Sequence, residues 1–161
     1  MTPAPSSQHQ FAVGELFLHL RLFFGGKNCL VFTAPFDVYF SEDGNYEHPD
    51  DITQPDITVV CNRNKITHKG CFGAPEIIVE VLSPATAVKD YNEKFDIYQK
   101  YGVKEYWIVD TANRMVHVYP LQDGTYNKRL TYGEQDELRS ALFPNLTIAL
   151  EAIFALESSE K

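Results

Sequence analysis

A carboxylate in the middle of an aliphatic run constrains this chain more than any other feature. Residues 75–84 read PEIIVEVLSP. The run is rich in β-branched residues and closed by Ser-Pro, the pattern of a strand. Ile77, Val79 and Val81 then point to one face, and Ile78, Glu80 and Leu82 to the other. Both faces are apolar, so the strand is central and covered on both sides. Burying an unpaired carboxylate costs several kcal/mol, so Glu80 needs a cation, a hydrogen-bond network or a proton.

A core able to cover both faces is within reach of the chain. Its 161 residues predict one domain over 1–161, and 44% hydrophobic with 22% charged residues is a globular composition. The longest apolar runs fall far short of the roughly 20 residues of a membrane span. The start, MTPAPSSQHQ, has neither the basic nor the apolar region of a secretory signal, so the expected location is cytoplasmic and no membrane partner is expected. Cys29, Cys61 and Cys71 lack CxxC spacing and read as reduced thiols. The net charge of −8 argues against coating nucleic acid by charge alone. It leaves room for an enzyme whose acidic groups hold a divalent cation.

Ser6 or Ser7 can cap a first helix running to about Phe24, with Phe11, Leu16, Leu20 and Phe23 on one side and GGKN ending it. CLVFTAPFDVYF reads as one strand or two short ones, with Pro35 at an edge or bend. SEDGNYEHPDD is a loop, DITVV the next strand, and NRNKITHKGCFGAP a second irregular connection before the Glu80 strand. A helix follows. It can start at Ser83-Pro84 or at Asp90, where DYNE has capping-box spacing. The later start is favoured, giving a helix over about 90–101 ended by Gly102. KEYWIVD is a strand, MVHVYPL and TYNKRLTYG supply a hairpin, and NLTIAL leads to a C-terminal helix. The order predicts an α+β fold around a mixed sheet with a C-terminal β appendage.

Asp56 starts the strand after Pro55, and Glu80 lies in the next one. If those strands are neighbours, the two carboxylates can converge on one Mg²⁺ or Mn²⁺, which prefer hard oxygen ligands. Singly, Asp56 can equally be a turn aspartate and Glu80 half of a buried ion pair. Asp90 and Lys94 are spaced i, i+4 on the following helix, as in a surface salt bridge. A short loop can instead bring the Lys94 ammonium to the carboxylates, where it would orient water and stabilise charge on a phosphorane. Ser83 reads as a backbone cap. His9 reads as a helix-start contact, and His19 as a packed or exposed ring. The tyrosines and Trp107 of DIYQKYGVKEYW can be core or can stack on bases.

QPDITVV, GAPEIIVEVLSPATAVKDYNEK and YQKYGVKEYWIVD, in this order and spacing, resemble the bacterial putative-restriction-endonuclease family of the PD-(D/E)xK nuclease superfamily. The resemblance extends from SSQHQ and APFDV to LFPNLTIAL. It implies a restriction-endonuclease-like αβββαβ core, Mg²⁺ or Mn²⁺ as cofactor, DNA as substrate, hydrolysis leaving a 5′-phosphate, and a homodimer. Asp56 matches the PD aspartate and Glu80 the acid of (D/E)xK. Two residues after Glu80 stands Leu82 instead of lysine, and Lys94 on the helix is the replacement. Superfamily members often add an acid from the first helix, here Glu15 as a metal ligand. Asp37 matches a further family position and, with Asp90 and Ser83, would sit in the second shell. The implied activity is a metal-dependent endodeoxyribonuclease. The rival is a degenerate nuclease fold acting as a nucleic-acid or protein binding module.

Overall fold

The computed structural model describes residues 5–82 and 87–158. Helix α1 (Ser7–Phe24) starts where Ser6 accepts a hydrogen bond from the His9 N–H at 3.1 Å, and it ends at Gly25. Then come β1 (Leu30–Thr33), β2 (Val38–Phe40), β3 (Asp51–Thr53) and β4 (Ile57–Val60). A 3-10 turn at Arg63–Lys65 leads to β5 (Ile66–Thr67), β6 (Gly70–Phe72) and β7 (Ile77–Val81). Helix α2 (Ala87–Tyr101) crosses to β8 (Glu105–Asp110), and β9 (Met115–Pro120) and β10 (Leu130–Gly133) extend the sheet. The hairpin β11 (Glu137–Arg139) and β12 (Thr147–Ala149) precedes two short helices, α3 (Leu150–Ile153) and α4 (Ala155–Ser158).

Six strands form one mixed sheet in the order β1-β4-β7-β8-β9-β10. Only β7 and β8 run parallel, as a strand–helix–strand crossover requires. This is the expected αβββαβ core with a β appendage. Every residue of β4 and β7 is buried. On one face, Ala12, Leu16, Leu20 and Phe24 of α1 pack against Val59, Val79 and Trp107. That i, i+4 stripe is offset from the expected one, because Phe11 and Phe23 stand at its rim and are only half-buried. The other face holds Ile78, Ile108 and Tyr106 of the sheet with Tyr98 of α2 and Val38, Phe40 and Cys71.

Three expectations are corrected. Helix α2 already includes Ala87, so Asp90 lies inside it and not at its start. The Asp90 side chain and all of Ser83 fall outside the described residues. The segment expected to be irregular contributes β5 and β6 to a second sheet, β3-β2-β6-β5. Its strands are two or three residues long, below what periodicity can register. Gly70 is needed there: at φ +141° a Cβ would sit 2.2 Å from the Asp37 carbonyl oxygen. Finally, Cys29 and Cys61 form a disulfide, with Cα atoms 3.9 Å apart. They flank the Leu30–Val60 pair of the β1–β4 ladder, so strand register puts them side by side. Cys71 is a free buried thiol, pushed by burial up to about 11.

The C-terminus of α2 is a Schellman motif. The Val103 N–H donates to the Tyr98 carbonyl at 3.0 Å and the Gly102 N–H to that of Gln99 at 3.3 Å, with Gly102 at φ +84°. This closure fixes the turn of helix that carries Tyr98. A second buried carboxylate ties the appendage down. Glu105, fully buried, accepts hydrogen bonds from Trp107 Nε1 at 2.9 Å, Ser140 Oγ at 2.7 Å, and the N–H groups of Ala141 at 3.1 Å and Leu142 at 3.2 Å.

Glu105→Ala strands the buried Trp107 and Ser140 donors away from water and frees the N–H groups of Ala141 and Leu142. Urea unfolding followed by Trp107 fluorescence should show a loss of about 3 kcal/mol or more. At about 2–4 °C per kcal/mol for a chain this size, the melting temperature should fall by about 6–12 °C. A loss below about 0.5 kcal/mol would mean that this carboxylate does not hold the appendage.

Candidate active site

Ile57 pairs with Val79 across the antiparallel β4–β7 ladder. One residue further, Asp56 therefore stands opposite Glu80, and directly opposed residues share a face. That face is the one α2 covers. The ladder thus brings together two carboxylates that are 24 residues apart in sequence.

Their oxygens are held unequally. Asp56 Oδ2 accepts a hydrogen bond from the Val81 N–H at 2.7 Å, whereas Asp56 Oδ1 lies 3.4 Å from His9 Nε2. Glu80 Oε2 is 3.0 Å from Lys94 Nζ and accepts from the Tyr98 hydroxyl at 2.9 Å. Among the described residues, the hydrogen bond to Glu80 Oε1 comes from the Asp56 N–H, at 3.3 Å. Each carboxylate has one firmly anchored oxygen and one at the outer limit of hydrogen bonding. The loosely held oxygens are Asp56 Oδ1 and Glu80 Oε1.

Glu80 is 6% exposed. Burial raises its proton affinity most; Lys94 opposes that rise and the nearby Asp56 adds to it, so its pKa stands above the ordinary value of 4.5. The buried Tyr98 is pushed well above its ordinary range by burial and by Glu80, so it stays a donor at any physiological pH. The His9 pKa is raised, chiefly by its hydrogen bond to Asp56, with burial opposing and Glu80 and the Val81 backbone helping.

Lys94 and Tyr98 are one helical turn apart on α2 and reach the same oxygen of Glu80. Lys94 of the crossover helix thus stands beside Glu80, with its side chain 29% exposed. Asp37 binds elsewhere: its Oδ1 accepts from Gln54 Nε2 at 2.9 Å, on the segment leading to Asp56. Glu15 is not brought to the pair. It lies six positions beyond His9, about 9 Å further along the axis and on another side of the helix. Among the described residues, no three His, Cys, Asp or Glu side chains cluster to hold a metal ion. The two carboxylates alone fit a cation that keeps waters and takes few protein ligands, as Mg²⁺ does.

Two further residues, expected in other roles, stand at the pair. Tyr98 follows Lys94 by four, so a helix that aims one at Glu80 aims both, and that spacing was the available signal. His9 was read as a helix-start contact, and its N–H does meet the Ser6 cap. Its ring reaches Asp56 because the first turns of α1 lie beside the residue that precedes β4, which no local pattern reveals. A cleft of about 330 Å³ opens there, lined by Pro5 and the first turns of α1, by Thr33 and Ala34, and by Asp56. Trp107 is fully buried and is a core residue. No helix among the described residues is long and apolar enough to cross a membrane.

Comparison with known proteins agrees with this architecture. The model of the family Uma2, described as "Putative restriction endonuclease", matches residues 1–151. An uncharacterized protein of Synechocystis sp. (strain ATCC 27184 / PCC 6803 / Kazusa) is 26% identical over 137 residues, covering 83% of this chain and 74% of that protein. A crystal structure from Anabaena variabilis ATCC 29413, described as a putative nuclease belonging to DUF820, superposes with a TM-score of 0.75 at 19% identity. It covers 96% of this chain and 84% of that one, and at this identity the likeness shows the fold alone.

Burial of Glu80 makes stability depend on pH. Its folded pKa is raised above 4.5, so the folded state keeps a proton that the unfolded state has already released. This contribution is full below about pH 4.5 and declines as pH rises through the folded value. Glu80→Gln lacks the decline. In EDTA, the unfolding free energy of the variant minus that of the wild type should grow more positive from pH 4.5 upward. A difference that is flat or shrinks with pH would show that Glu80 is not held at a raised pKa.

Proposed function

The chain belongs to the Uma2 family of restriction-endonuclease-like proteins, and from that membership and the geometry at Glu80 we propose that it is a divalent-metal-dependent endonuclease hydrolysing DNA phosphodiester bonds. One observation carries the reading: Lys94 Nζ lies 3.0 Å from Glu80 Oε2, in the role that a lysine two residues after Glu80 would otherwise fill. Asp56 Oδ1 and Glu80 Oε1 would hold Mg²⁺ or Mn²⁺, with waters and substrate phosphate completing the shell. When bound, the cation supplies Lewis-acid polarisation of the phosphate and a water of lowered pKa.

The chain's own side chains do the rest. Tyr98 and Lys94 hold Glu80 Oε2 and leave Oε1 turned toward Asp56. The Lys94 ammonium, partly open to solvent, can orient the attacking water and neutralise charge on the phosphorane. Covered by α1 and α2, the site is poorer in water than the surface, and each of these interactions gains strength. The net charge of −8 gives little nonspecific attraction to phosphate, so cleavage is expected to be weak and best at low salt.

A second reading, a binding module, has its own support. All four carboxylate oxygens already have partners within the chain, and the protein is acidic.

Nuclease assays separate the two. Purified protein with Mg²⁺ or Mn²⁺ should nick or cleave DNA at low salt, and EDTA should abolish the cleavage. Glu80→Ala should remove activity by removing a metal ligand. Lys94→Ala should keep the metal and lose about 10²–10³ in rate, the size of a lost charge-stabilising donor. Wild-type protein that binds Mn²⁺ yet cleaves neither DNA nor RNA would favour the binding module. Cleavage surviving Glu80→Ala would place the active site elsewhere.

A further inference from the structure

We propose that His9 is a positioning residue for Asp56, holding that carboxylate in its metal-binding orientation through an Nε2–H hydrogen bond. The inference rests on the metal reading above and extends it to a residue of α1.

Asp56 has two restraints. Its Oδ2 is fixed by the Val81 N–H at 2.7 Å, and its Oδ1 meets His9 Nε2 at 3.4 Å. The first holds one corner of the carboxylate to β7. On the α1 side, the imidazole limits rotation about that corner. A carboxylate oxygen has two lone-pair directions, so Oδ1 can accept from His9 and still face a cation. Groups that hydrogen-bond a metal's ligands commonly set its affinity by 10–100-fold.

The ring's other nitrogen distinguishes this role from direct ligation. A histidine bound to metal through Nε2 carries its proton on Nδ1 and donates it to a carbonyl, carboxylate or water. His9 Nδ1 is buried and has no hydrogen-bond partner among the described residues. Nε2 faces Asp56, and Nδ1 lacks the acceptor that would orient the ring of a metal-bound histidine. The side chain is only 14% exposed, and the Ser6 cap fixes the backbone of the turn that carries it. The imidazole is therefore built into the start of α1 and ties that helix to the residue that precedes β4.

Mn²⁺ affinity, measured by calorimetry or by the free-ion electron paramagnetic resonance signal, tests the assignment on four proteins: wild type, His9→Ala, His9→Gln and Glu80→Ala. Circular dichroism checks that each is folded. His9→Ala should weaken Mn²⁺ binding by about 10–100-fold. His9→Gln carries an amide N–H at nearly the position of Nε2 and should restore affinity to within a few-fold of wild type. A purely structural role for the ring would not be rescued in this way. If the wild type binds Mn²⁺ and Glu80→Ala does not, but His9→Ala binds like wild type, the His9 assignment is wrong and the metal site stands. His9→Gln as weak as His9→Ala also overturns it. If Glu80→Ala binds as well as wild type, the metal reading itself fails and His9 falls with it.

Discussion

The structure is organised around one buried carboxylate in the middle of a sheet. Glu80 sits on β7, a strand with no exposed residue, and removing such a group from water is costly unless charge and hydrogen bonds are returned to it. The neighbouring elements supply both. Lys94 and Tyr98 come from the helix that directly follows β7, and the Asp56 N–H comes from the adjacent strand. None of the three could be removed without leaving Glu80 short of a partner. The Schellman closure at Gly102 and the β4–β7 register are thereby bound to the chemistry of the site.

Glu105 shows what a buried carboxylate looks like when it serves the fold alone. Its donors are an indole N–H, a hydroxyl and two backbone N–H groups at 2.7–3.2 Å, and among the described residues no lysine or arginine pairs with it. Glu80 differs in having a partly exposed ammonium on one oxygen and, on the second, a single long hydrogen bond from the Asp56 N–H. The Asp56 charge beside it adds to the raised proton affinity of Glu80, an arrangement that costs stability and would be eased by a bound cation. This contrast within one molecule supports the proposal of the Asp56–Glu80 pair as a cation site.

Much of this was legible in the sequence, because the signals were local and strong. The β-branched run of β7, the proline before Asp56 and the i, i+4 logic of α2 are short-range patterns, and the core topology followed from their order. The disulfide was missed because it depends on which strands pair, information that no cysteine spacing carries. The small second sheet was missed because two- and three-residue strands have no period. His9 escaped because its role depends on where the first turns of α1 lie, and Glu105 because a carboxylate at a strand start looks like surface. In each case the missing information was tertiary: the partner lay far along the chain, and propensity says nothing about it.

The central claim is that Asp56 and Glu80 form one cation site whose open corners are Asp56 Oδ1 and Glu80 Oε1. Anomalous diffraction from crystals soaked in Mn²⁺ examines it most directly. The account predicts a single strong anomalous peak between those two oxygens, within about 2.0–2.3 Å of each, and its disappearance in Glu80→Ala crystals. Saturating Mn²⁺ that leaves this position empty, or that binds only at the acidic 41–51 loop, would contradict it.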